Sequence, residues 1–243
     1  HYGSWHSGYQ LVFGSEYYMK TGDKYILPAL TEIAIKTSGG QTYGGSWSHS
    51  FSARSFNFGK INGRATGYGA MNQAGGPCFL GLVMARKAGI KDIAVDAAIA
   101  RSIRFYSGFS ENGAAGYGMG SAVGYADSNG KNGPPAFAFK LLGRKTDAQY
   151  FAWCQSVASW WKHGGHCGGS WGAMWRTFGA GLGGPLSVKA YHKKHRNYYA
   201  VGRRYDGGWV WHDGTGGPGF EGNGNALNVL RYIVTRQKTY LTG

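Results

Sequence analysis

The sequence predicts an all-α protein, a stack or ring of antiparallel helix hairpins. Three observations carry that expectation. Apolar residues recur at helical spacing, as at Tyr150, Cys154, Val157 and Trp161. The helical runs come in pairs joined by short glycine turns such as Ala88-Gly89 and Gly143. Between pairs the chain returns to a glycine-rich stretch ending in an aromatic: Gly44 to Trp47, Gly113 to Tyr117, Gly168 to Trp171 and Asp206 to Trp209. Hairpins recurring around decorated loops gather those loops on one face, where function is expected.

The first helix is expected near 8–20, with Leu11, Val12, Ser15 and Met19 on its stripe and Thr21-Gly22-Asp23 closing it. Its partner carries Ile26, Leu30, Ile33 and Thr37, and Pro28 fits because it falls in the first turn. Residues 39–76 read as a long loop of functional character, with weak alternation at Ser50 to Ala53 suggesting a small hairpin. The second pair is expected at 77–88, opening at Pro77 with Phe79, Leu82 and Val83, and at 92–106, with Ile93, Ala97, Ala100 and Ile103. After a loop over 107–133, a third pair begins at Pro134-Pro135 and continues at 147–162. The fourth holds Trp171, Met174, Trp175 and Phe178, then a helix at 187–200 with Tyr191, His195 and Tyr198. A ninth helix is expected around Leu227, Leu230, Ile233 and Val234. Four and a half pairs fall short of the about six of a closed ring, so an incomplete arc with further sequence upstream is expected.

A length of 243 residues with no linker-like break predicts one domain spanning 1–243. The 44 glycines alternate with apolar helices, which argues against disorder, and supply turns and close backbone approach. A formal charge of +15 implies attraction to polyanions. Its densest stretch includes Lys189, Lys193 and Arg196, which share one helical face. Three cysteines do not make a disulfide framework, and Cys78 and Cys154 fall on core stripes. No apolar run approaches the roughly 20 residues of a membrane span. A removed secretion signal would suit the composition, giving an extracytoplasmic location as the expectation.

The run Glu16 to Asp23, followed by Leu27-Pro28-Ala29-Leu30, resembles α/α-toroid proteins, among them polysaccharide lyases and terpene-cyclase-like folds. Gly67 to Gly75, Asp127 to Gly133, Arg204 to Gly208 and Lys238 to Gly243 resemble a family of secreted bacterial proteins carrying a domain of unknown function. The resemblance covers nearly the whole chain and implies an α/α toroid, without bringing a settled activity. Tyr117-Gly118-Met119-Gly120 stands where the family tends to carry Asp-His after Tyr-Gly. Cys167-Gly168-Gly169 stands in place of Thr-Gly-Asn. Both departures remove polar groups from loops.

A toroid lyase needs a group to neutralise the substrate carboxylate, a base for the α-proton, and aromatic platforms. Asn129, Lys131, Asn132, Asn72 and Gln73 are the candidate neutralisers, and Tyr117, Tyr125, His166 or His49 the candidate bases. Trp47, Trp171 and Trp209 are the candidate sugar platforms. Turn chemistry and packing of aromatics over helix ends account for the same residues without catalysis. A hydrolase would draw on paired acids, first Asp127 and Asp206, although Asp caps turns routinely. His163, His166 and Cys167 form a weak zinc pattern without a second cluster, and His1 with His6 a weaker copper one, so no metal or cofactor is expected. The leading expectation is a protein that binds an acidic or neutral polysaccharide, with lyase activity as its enzymatic form. The alternative is a self-assembling subunit of a surface layer or filament. Nucleic acid ranks third as a partner, because no reading motif accompanies the charge.

Overall fold

The computed structural model of the chain describes residues 3–52, 69–120, 131–157, 170–209, 229–230 and 232, with side chains except at 170–174 and 198. These residues are mostly helical and contain no strand. The helices are α1 (Gly3–Thr21), α2 (Leu27–Gly39), α3 (Asn72–Lys87), α4 (Ile93–Ser107), α5 (Gly133–Leu141), α6 (Lys145–Ser156), α7 (Ser170–Gly181) and α8 (Pro185–Val201). None is long and apolar enough to cross a membrane.

Local chemistry sets the ends. Gly22, at a left-handed φ of 72°, terminates α1 and donates its N–H to Tyr18 O. Asp23 then accepts the N–H of Tyr25 and opens the 3-10 turn Lys24–Ile26 that leads into α2. Asp92 caps α4 by accepting from the N–H groups of Ala94 and Val95. The inward stripe of α4, Val95, Ala98, Ile99, Ser102 and Tyr106, follows the helical period. By contrast α3 is buried on every side from Asn72 to Ala85, as is α5 from Gly133 to Phe139. Helices α3 and α5 are thus enclosed by their neighbours, whereas α1, α4 and α6 bury one side.

In the packing, α1 lies on α3, α3 on α5 and α5 on α7, while each odd-numbered helix also holds the even-numbered helix that follows it. Neighbouring odd helices run in the same direction. Ser4 O accepts from Cys78 Sγ while Leu11 lies against Gly81, and Gly76 meets Pro134 while Phe79 meets Phe139. The short turns thus lie at one end, and the long connections 40–71, 108–132 and 157–169 start and finish at the other. Aromatic rings bind the layers together. Phe79 stacks on Tyr106 at 5.3 Å, meets Phe139 edge-on at 5.5 Å, and Phe139 stacks on Phe151 at 5.6 Å. Trp175 of α7 packs beside Phe137 and donates its indole N–H to Tyr9 OH at 2.9 Å, joining α7 to α1.

A close seam runs between α1 and α3. A Cβ on Gly8 would sit 2.8 Å from Cys78 N, and one on Gly81 would sit 2.6 Å from Leu11 Cβ and 2.9 Å from Gly8 O. Glycine at both positions lets the two backbones approach.

Several boundaries differ from expectation. Helix α1 begins at Gly3, and α3 begins at Asn72 with Pro77 inside it. The run Gly75-Gly76-Pro77 reads as a helix breaker, yet its small cross-section is what lets α3 pass between α1 and α5. The hairpin expected at Ser50 to Ala53 is absent from residues 50–52. There Ser52 donates its N–H to Gly40 O and its hydroxyl to Gln41 O, folding the chain back onto the end of α2. Helix α6 is described to Ser156, and most of the expected ninth helix lies outside the described residues.

Gly81→Ala should destabilise the protein by about 1–3 kcal/mol, the cost of overpacking a rigid contact. Gly39→Ala, where a Cβ meets nothing within 4 Å, should leave stability unchanged or raise it by up to about 1 kcal/mol. Urea unfolding of the two variants measures the contrast.

Candidate functional site

At the long-loop end, Gly44-Gly45-Ser46-Trp47 turns sharply at Gly45, whose φ of 97° is left-handed. A side chain there would collide with Arg101 O of α4. The turn sends Ser46 and Trp47 inward. Trp47 is 0% exposed and donates its indole N–H to Thr37 O at 2.8 Å. Gln41 locks the same turn to α4, donating to Gly45 O at 3.1 Å and to Ala98 O at 3.0 Å, while Arg101 Nε donates to Gln41 Oε1 at 2.6 Å.

Asn72, the first residue of α3, is the hub of this end. Its Oδ1 accepts from Ser46 Oγ at 3.0 Å and from Tyr106 OH at 3.4 Å. Its Nδ2 donates to Gly118 O at 2.7 Å and Gly116 O at 3.1 Å, and its backbone N–H to Tyr117 O at 3.1 Å. Burial pushes the Tyr106 hydroxyl well above its usual pKa, outweighing the lowering effect of its Ser46 hydrogen bond. Tyr106 is thus a hydrogen-bond donor across the physiological range and not a base. From the other side, Asn132 Oδ1, just ahead of α5, accepts the N–H of Ala115 at 2.9 Å. Residues 115–118 are therefore gripped between the starts of α3 and α5. Three successive carbonyls occupy the N-terminal end of α3, where an anionic substrate would otherwise be favoured.

This geometry brings Asn72, Asn132 and Tyr117 together, but as a clamp on the backbone. Trp47, expected as a sugar platform, has no exposed ring face. Gln73 and Lys131, expected as neutralisers, are each 3% exposed, and Asn72 and Asn132 are fully enclosed. Tyr117 is half-buried. Asp206 is exposed and caps its own turn, accepting from Gly208 N at 2.9 Å and pairing with Arg204 at 3.0 Å. Trp209 is half-buried under the Arg203 guanidinium, 5.3 Å from its ring centroid. His49 Nδ1 accepts from the Trp5 indole at 3.1 Å. The backbone of Trp171 lies in α7. Tyr125, Asp127, Asn129, His163, His166 and Cys167, the Trp171 side chain and His1 lie outside the described residues. Among the described residues no three His, Cys, Asp or Glu side chains come together as a metal site would require.

Sequence reasoning passed over Ser46, Tyr106, Gln41 and Arg101, which build this end. Ser46 sat within a quoted motif, and Tyr106 extended the apolar stripe of α4. Nothing in the sequence marked Gln41 or Arg101.

Asn72→Ala should cost about 2–4 kcal/mol, because several buried polar groups lose their partners. Asn72→Asp should be worse at pH 7 than at pH 4, since a buried carboxylate cannot donate to Gly116 O and Gly118 O. Thermal unfolding at the two pH values reads both effects.

Burial also raises the two core thiols above their ordinary value, Cys78 strongly and Cys154 to about 11. Each contributes stability that is full below about pH 9 and lost as the pH climbs through the raised folded value. In a Cys167→Ser background, Ellman's reagent at pH 8 should therefore label neither thiol until the protein unfolds. Rapid labelling of the native protein would contradict that environment.

Comparison with curated proteins and with solved structures returned no match. A protein family described as a domain of unknown function, DUF6288, matches residues 1–243, and the chain belongs to that family.

Proposed function

We propose that the protein is an extracytoplasmic binder of an acidic polysaccharide that uses the outer face of α8. One observation carries this reading. Lys189, Lys193 and Arg196 are exposed on that face, and among the described residues none has an ionic or hydrogen-bonded partner, whereas Lys194 is tied to Val157 O at 3.2 Å. They follow one another over about 10 Å of helix, a spacing that suits successive charges of a polymer. Three exposed cations in a chain of net charge +15 attract a polyanion over a Debye length.

Binding is favoured over lyase chemistry, because the buried Asn72, Gln73, Lys131 and Asn132 offer no polar surface to a polymer. The order of packing among the odd helices suits the inner wall of an incomplete α/α toroid, with the even helices as its outer wall. On that reading α8 is an outer rib, open to a long ligand.

A second reading, a self-assembling subunit, is favoured by aromatic exposure at the other end of the helix series. Phe13 is 73% and Tyr25 93% exposed, and Phe13 stacks on the partly exposed Tyr17 at 6.5 Å. A monomer rarely leaves such a cluster uncovered.

Affinity for a polyuronate should fall steeply between low salt and about 0.15 M. The combined variant Lys189→Gln, Lys193→Gln and Arg196→Gln should bind roughly tenfold more weakly at low salt and show a shallower salt dependence. Salt-insensitive binding, or none to any acidic glycan, would sink the proposal. Concentration-dependent sedimentation abolished by Phe13→Ser would then promote the subunit reading.

A further inference from the structure

A cleft of about 470 Å³ opens at the short-turn end, between the third and fourth hairpins and opposite the clamp on residues 115–118. Its volume falls within the roughly 300–1,000 Å³ of ligand pockets. Its lining includes the apolar side chains of Phe137, Phe178 and Leu182, of which Phe178 and Leu182 are half-buried. At the rim stand Lys140, Lys145 and Gln149, all exposed. Among the described residues neither lysine has an ionic or hydrogen-bonded partner, and no carboxylate lines the cleft. In the first two hairpins the corresponding turns carry Asp23 and Asp92, which accept backbone N–H groups. The third and fourth hairpins have Arg144 and Gly184 there, with no side-chain cap.

We propose that this cleft binds one carboxylate-bearing sugar unit, a uronate, as a subsite for the acidic glycan assigned above to α8. The inference rests on that assignment and adds the unit that is recognised. The sugar's C–H face would lie on Phe178, an arrangement in which an aromatic face replaces water over apolar surface. Its carboxylate would meet Lys140 and Lys145, whose ammonium groups make charge-assisted hydrogen bonds to carboxylate. The Gln149 amide both donates and accepts, as sugar hydroxyls require. A half-open cleft of this size suits a ring better than an extended acyl chain. Its wall includes Gly184, the residue that precedes α8, so the cleft sits where the helix bearing the basic face begins.

The test titrates the protein with a uronate trisaccharide and with its carboxyl-reduced, neutral counterpart, using calorimetry and backbone amide NMR. The comparison covers wild type, Lys140→Gln with Lys145→Gln, and the triple α8 variant. All substitutions are at exposed positions, and thermal unfolding verifies the fold. The expected result is binding of the uronate with shifts at Gly143, Gln149 and Gly184, weakened about tenfold or more in the cleft variant. The α8 variant should bind the trisaccharide nearly as wild type does, and the neutral sugar should bind weakly. Equal affinity for the neutral sugar, or equal loss in the α8 variant, would overturn the cleft as a carboxylate subsite. No trisaccharide binding alongside salt-sensitive polymer binding would overturn the cleft and leave the α8 reading standing. Failure of both ligands would remove both.

Discussion

The approach of α1 to α3 governs the rest of the molecule. With no Cβ at Gly8 or Gly81, Cys78 can reach Ser4 O, and Leu11 lies flat on the α3 backbone. Close contact of this kind gains many small dispersion terms along the seam and excludes water from it. Helix α3 is thereby enclosed between α1 and α5, which explains an inner helix that is buried all round and contains glycine and proline. Fixing α3 also fixes the position of Asn72 at its start. From there the amide dictates where Ser46, Tyr106 and residues 116–118 must lie.

That chain of dependence explains why the conspicuous polar residues of the long-loop end are occupied by structure. A buried amide must have its donors and acceptors met, and here backbone carbonyls and hydroxyls meet those of Asn72. Exposed cations lie elsewhere, among them Lys189, Lys193 and Arg196 on α8 and Lys140 and Lys145 beside the turn-end cleft. Charge kept at the surface remains hydrated until a partner arrives, whereas burying it would cost far more than a surface contact returns. The molecule thus separates a rigid interior, stitched by amides and rings, from a basic exterior.

The helix pairs were legible because apolar residues recur at helical spacing, but the buried face of α4 was not. The expected stripe leaves Ile93, Ala97 and Ala100 exposed and Ile103 half-buried, while Val95, Ala98, Ile99, Ser102 and Tyr106 face inward. Helix α3 was placed late because Gly75, Gly76 and Pro77 have poor helix propensity, and tertiary enclosure overrides propensity. Trp47 following glycine reads equally as a platform or a plug, and only the φ of Gly45 turns it inward. Asn72 and Asn132 sit in turn-like strings, and sequence cannot say whether an amide faces substrate or backbone. Asp206 followed its ordinary tendency and capped a turn. Lys140 and Lys145 escaped notice because lysines flanking a glycine turn resemble any solvated pair, and only the space beneath them distinguishes them.

Amide hydrogen exchange with and without a polyuronate chain tests the central claim, that ligand meets the basic exterior and not the long-loop end. The account predicts slowed exchange in α8 and in the turns at 142–144 and 182–184, with residues 42–47 and 115–118 unchanged. Protection confined to 42–47 and 115–118, with α8 unaffected, would contradict it.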